Sequence, residues 1–215
     1  MDKIQFINVL PRVFSTMSAT LESDVWQREV SFVRGQRYLI EADSGKGKST
    51  FCSYVMGYRH DYTGQVLMDG KDSREYSLAA WSLLRRQTVS CLFQELRLFP
   101  GLTAYENVAI KNRLTHFKTR QQIEQWFEML GMADKLKAKV GLLSFGQQQR
   151  VALMRALVQP FDFLLADEPI SHLDEGNARI MAELISREAE SQGACIITTS
   201  IGKHLPLDYD ITLQL

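Results

Sequence analysis

The segment ADSGKGKST at 42–50 constrains this chain more than any other stretch. A β-like run, VSFVRGQRYLIEA, turns at Gly35 and leads into it, and residues 50–58 read as a helix after it. Glycines between a strand and a helix let the backbone pass close to phosphate oxygens, with the amides of the next turn pointing at them. The helix N-terminus adds a partial positive charge. Gly45 and Gly47 allow that approach, Lys48 can reach β- and γ-phosphates, and Ser49 can offer its hydroxyl to Mg2+. Asp43, Ser44, Lys46 and Thr50 complete the loop, Lys46 adding a second cation. The usual spacing of such a loop is GxxxxGK[ST], and Ala42 stands where its first glycine is expected. Alanine accepts most backbone conformations except positive φ, so a small distortion is expected there.

FDFLLADEPISHLDE is the second strong signal. Asp167, at the end of an apolar strand, is placed to hold an Mg2+ shell through water, and Glu168 can polarise an attacking water as general base. Adjacent carboxylates repel each other, and a nearby metal and triphosphate would offset that cost.

The bulk composition is consistent with one soluble globular domain. Of 215 residues, 45% are hydrophobic and 23% charged. Lys plus Arg is 25 and Asp plus Glu is 25, so the cation surplus of a nucleic-acid binder is missing. MDKIQFINVLPRVF does not read as a signal peptide, and no apolar run approaches the ~20 residues of a bilayer span. Cys52, Cys91 and Cys195 are far apart and without a CxxC, as expected of reduced thiols. Strand patterns at KIQFINV, GQVLMDG, TVSCLF, FDFLLA, ACIITT and ITLQL surround a helix-patterned block from about 95 to 158. In TRQQIEQWFEMLG, Ile123, Trp126, Phe127 and Leu130 share one face, a core stripe, and Gly131 is a natural stop. Strands and helices alternate at both ends, which predicts a parallel α/β core interrupted by a helical insertion.

LLSFGQQQRVALMRAL at 142–157 joins these signals. With the phosphate loop before it and the acidic strand after it, it resembles the LSGGQ signature of ABC-type ATPases, in family order over nearly the whole chain. The resemblance implies an α/β P-loop NTPase (RecA-like) core with a mainly parallel sheet, an N-terminal antiparallel β subdomain and an inserted α-helical subdomain. On this division 1–94 and 159–215 form the nucleotide-binding core and 95–158 the helical subdomain with the signature. It further implies ATP and Mg2+ as ligands, a head-to-tail pair of cassettes that are identical or paralogous, and a separate transmembrane permease-type partner. No nucleic acid is expected. The place implied is the cytoplasmic face of the membrane, held peripherally through that partner. Ser144, Gly146 and Gln147 would face the opposite subunit's γ-phosphate. Gln94 resembles the glutamine that touches Mg2+ and the attacking water, and Ser171, His172, Leu173 and Asp174 resemble the loop that bridges the two sites. Phe14 is a candidate to stack on adenine or a plain core residue.

Two departures stand out. Phe145 replaces the first glycine of the signature pair, and Ser200 is read as standing where the family has a histidine after the last core strand. A serine there reaches less far and carries no charge, so slow hydrolysis with ATP binding kept is expected; His204, four residues on, is a remote substitute. LFQELRLFPGLTAYENV is similar to the group of lipoprotein-release, macrolide-export and cell-division ATPases. A nucleotide-gated regulatory subunit is the competing reading. Soluble ABC proteins of DNA repair or translation fit less well, because the chain has neither long coiled coils nor tandem cassettes.

Overall fold

The computed structural model describes residues 1–16, 22–170 and 174–215. In chain order its strands are β1 (Lys3–Pro11), β2 (Glu29–Val33), β3 (Arg37–Glu41), β4 (Tyr62–Met68), β5 (Lys71–Asp72), β6 (Val89–Leu92), β7 (Phe163–Asp167), β8 (Cys195–Ser200) and β9 (Ile211–Gln214). The helices are α1 (Lys48–Val55), α2 (Leu78–Gln87), α3 (Ala104–Asn112), α4 (Arg120–Met129), α5 (Phe145–Leu157) and α6 (Glu175–Gln192).

The strands form two sheets. One is antiparallel in the order β2-β1-β4-β5, and the other is parallel in the order β6-β7-β8-β3-β9. This is the α/β phosphate-loop fold that the sequence implied. The turn at Gly35 joins strands of different sheets, for β2 pairs with β1 while β3 pairs with β8 and β9.

Strand periodicity explains why the parallel sheet is covered on both faces. In β7 all five residues are buried. Leu164 packs in the cluster that holds Ala152, Leu157 and Ile185, and Phe163 and Leu165 pack in the cluster that holds Phe51 and Val55 of α1. Ile196 repeats the first pattern in β8, and Cys195 and Ile197 the second. The second cluster extends to the antiparallel sheet through Phe6, Phe32 and Trp26.

Helices α3, α4 and α5 lie in the chain between β6 and β7, which are paired neighbours (Val89 with Phe163). Ile123, Trp126, Phe127 and Leu130 are buried in one cluster, as their spacing predicts. Gly131 ends that helix with φ 63°. Among the described residues no helix is long and apolar enough to cross a membrane.

Gly64 shows how tightly the antiparallel sheet is built. Its φ is 79°, and a Cβ there would stand 2.3 Å from the Asn8 carbonyl oxygen, beside the register shift between Ile7 and Leu10. Gly64→Ala is therefore expected to destabilise the fold by about 2 kcal/mol, lowering Tm by roughly 4–8 °C. A melting curve unchanged from wild type would show that β1 yields.

Candidate active site

Strand β3 delivers the chain into the loop at Ala42, whose N–H donates to the Ser200 carbonyl at 3.1 Å. The left-handed turns fall on Gly45 (φ 81°) and Gly47 (φ 102°), and Ala42 is not among the residues with positive φ. The distortion expected at Ala42 is therefore not needed. Gly47 also sits close against aromatics: a Cβ there would lie 3.0 Å from Phe14 Cε2 and 3.2 Å from Trp26 Cζ2. Trp26 Nε1 donates to the Lys46 carbonyl at 3.3 Å and props the loop from behind.

Lys48 opens α1 and is buried. Its Nζ donates to the carbonyls of Ala42 (2.8 Å) and Asp43 (3.0 Å) and stands 3.5 Å from Glu168 Oε1. Ser49 Oγ donates to Asp167 Oδ2 at 3.0 Å. Asp167 is 4% exposed, and its other oxygen accepts from Thr199 Oγ1 at 2.6 Å. The Glu168 N–H meets both the Thr199 carbonyl (3.2 Å) and its hydroxyl (3.3 Å). Thr199 thus ties both acidic residues to the sheet, and it escaped the sequence reading. The signal was there, in a run of polar residues, Thr198 to Ser200, buried in a core strand.

Glu168 has φ 48°, a left-handed conformation that costs a non-glycine residue of order 1 kcal/mol and that gathers at functional sites. Its Oε2 accepts from Gln94 Nε2 at 3.1 Å. Lys48 and Gln94 therefore each hold one oxygen of the same carboxylate. A cleft of 330 Å³ opens over these groups, lined by Ser44, Gly45, Gly47, Lys48, Ser49 and Thr50 of the loop and by Gln94 and Glu168. Ala42, Asp43 and Lys46 line a neighbouring hollow of 720 Å³ instead.

Phe14 lines the same cleft but is 8% exposed, with its ring against Gly47, so most of it belongs to the aromatic core. Its neighbour Val13, also on the cleft wall, is 60% exposed. Ser200, expected just beyond the strand, lies inside it. Ser200 is the last residue of β8, pairs with Glu41, is 1% exposed, and spends its hydroxyl on the Lys203 carbonyl at 2.7 Å. The first residue beyond the strand is Ile201, which lines the cleft with Lys48, Gln94 and Glu168 and is 47% exposed. The polar run misled the reading, because β8 continues one residue further than its apolar pattern. His204 points elsewhere, with Nδ1 3.9 Å from Glu41 Oε1 and its ring against Tyr209.

Ser144 and Gln147 build the N-terminal cap of α5. The Gln147 N–H donates to Ser144 Oγ at 3.3 Å, and the Ser144 N–H donates to Gln147 Oε1 at 3.0 Å. Phe145 and Gly146 are the first two residues of the helix, Phe145 44% exposed. None of Ser144, Gly146 and Gln147 lines the cleft of their own chain. Asp174 caps α6 by accepting from the Asn177 N–H at 2.9 Å, while Ser171, His172 and Leu173 lie outside the described residues.

Hard oxygen donors suit Mg2+, and the carboxylate of Asp167 beside the hydroxyl of Ser49 is such a pair. The loop amides and Lys48 suit a triphosphate. Glu168, polarised between two donors, can accept a proton from water.

Known proteins resemble this chain in sequence and in fold. The family model described as ABC transporter matches residues 27–171. An uncharacterised ABC transporter ATP-binding protein, YclH of Bacillus subtilis, is 34% identical over 190 residues, 86% of this chain and 83% of its own. The lipoprotein-releasing system ATP-binding protein LolD of Coxiella burnetii is 36% identical over 160 residues, 73% of this chain and 69% of its own. The dimeric post-hydrolysis structure of the ATP-binding cassette MJ0796 with ADP and Pi superposes with a TM-score of 0.74 at 25% identity, over 92% of this chain and 87% of that one.

Proposed function

This chain belongs to the ABC transporter family of ATP-binding cassette ATPases, and from that premise we propose that it is the ATP-hydrolysing subunit of a membrane transporter or mechanotransmission complex. In this reading it closes with a second cassette around two MgATP and drives a separate transmembrane partner from the cytoplasmic face. The observation that carries it is the half-built cleft. Lys48, Ser49, Asp167, Glu168 and Gln94 converge there, and Ser144, Gly146 and Gln147 stay outside it. A signature that cannot serve its own chain is available to an opposite one. The similarity to a lipoprotein-releasing ATP-binding protein supports a partner of that mechanical group.

Each residue has a part. Lys48 exchanges its contacts with Glu168 and the loop carbonyls for terminal phosphate oxygens. Ser49 and Asp167 would hold Mg2+, which would supply screening of the phosphate charge. Glu168 takes a proton at its carboxylate from the attacking water, and Gln94 orients that water and passes the change of state toward the partner. Phe14 and Val13 flank the adenine side. The opposite Ser144 hydroxyl and α5 N-terminus engage the triphosphate only on closure, so ligand shifts the population toward the closed pair.

Lys48→Ala tests the cradle. It is expected to weaken ATP binding at least about twentyfold, read by calorimetry, because a buried cation aimed at anionic oxygens is lost. Wild-type affinity in that variant would sink the assignment.

Ile201 favours a second reading, a nucleotide-gated regulatory subunit with slow turnover. An apolar side chain on the wall of the cleft that Glu168 lines offers neither a hydrogen bond nor a charge to the transition state.

A further inference from the structure

Arg59 lies in the turn after α1, and it lines the same cleft as the phosphate loop. Its guanidinium is held in a fixed orientation. Nε donates to Asp61 Oδ1 at 2.9 Å and Nη2 to Asp61 Oδ2 at 2.5 Å, a bidentate fork. The remaining nitrogen, Nη1, lies 3.4 Å from Thr50 Oγ1, in the first turn of α1. The Tyr54 ring, 5.8 Å from the guanidinium carbon, backs it.

The loop's polar groups divide by what they touch. Lys48 and Ser49 reach Glu168 and Asp167, the reacting end. Thr50 is instead linked to Arg59, so the free edge of the fork serves the other side of the cradle. A phosphate at the first turn of α1 would replace the long Thr50 contact with a charge-assisted one. Asp61 offsets part of the cation's charge, so the gain is that of a directed hydrogen bond and not of a bare ion pair.

We propose that Arg59 is a nucleotide-binding residue of this chain that donates from Nη1 to a non-terminal phosphate, the part that ATP and ADP share. The inference rests on the reading of the cleft as the ATP site and adds a residue outside the loop motif to it. Its consequence is an affinity less dependent on the γ-phosphate, with product held after hydrolysis.

The test is calorimetric titration of the full chain with Mg2+ and either ADP or a non-hydrolysable ATP analogue, for wild type, Arg59→Ala and Arg59→Gln. Arg59→Ala is expected to weaken both nucleotides by a similar factor, about 5–20-fold. Arg59→Gln, which keeps a donor and the bulk of the side chain, is expected to fall between it and wild type. Melting curves without nucleotide check that the turn stays folded, and Arg59→Gln carries the test if Arg59→Ala does not fold. Unchanged affinity for both nucleotides would overturn the proposal, and so would a loss confined to the ATP analogue, which would mark a terminal-phosphate contact. A wild-type chain that bound neither nucleotide would instead overturn the ATP-site reading beneath it.

Discussion

Glu168→Gln is expected to hydrolyse ATP about 10²–10³ times more slowly than wild type while binding it at least as tightly. The amide keeps the size of the carboxylate but cannot accept the proton of the attacking water. It also removes the charge 3.5 Å from Lys48 Nζ, freeing that ammonium for phosphate oxygens. The backbone at 168 keeps its φ of 48° because Thr199 still receives the N–H. The trapped nucleotide should then shift the chain toward a dimer on a sizing column when ATP is present. Turnover within a factor of two of wild type would remove Glu168 from the chemistry. Slow turnover with a monomer at saturating ATP would leave the base in place and sink the head-to-tail half of the proposal.

Ile201→His should act in the opposite direction, raising turnover of the assembled complex roughly 10–100-fold. Ile201 lines the same cleft as Glu168 and is 47% exposed, so an imidazole there gains a polar tip on the cleft wall without displacing core atoms. Ser200→His is the paired control. Ser200 is 1% exposed and bonded to the Lys203 carbonyl, so a ring at that position crowds the end of β8 and is expected to lower stability without raising turnover. Equal rates for wild type and Ile201→His would mean that the wall residue has no part in setting the rate.

Much of the fold was legible because its signals are local. The periodicity around Ile123, Trp126 and Phe127 put one face inward, and Gly131 ended the helix where a left-handed residue was required. The phosphate loop and the acidic strand end were readable from spacing, since a strand, a glycine turn and a helix leave little choice of geometry. What escaped depends on where strands stop and on contacts distant in sequence. Three polar letters hid the true end of β8, so the first residue past the strand is Ile201 and not Ser200. Thr199 reaches Asp167 across 32 positions, and no local pattern announces that bond. The orientation of the Arg59 guanidinium is set by the Asp61 carboxylate, and that contact cannot be read from a GKST motif.

The cap of α5 sets limits on how this chain can vary. Ser144 and Gln147 satisfy each other's backbone N–H groups, and losing such a cap costs a helix about 1 kcal/mol. Replacing either side chain therefore weakens the helix of a single chain, before any partner is met. Phe145, half exposed, lies outside that reciprocal pair. Ser144 and Gln147 thus have a folding task that is separate from any part the motif takes in docking.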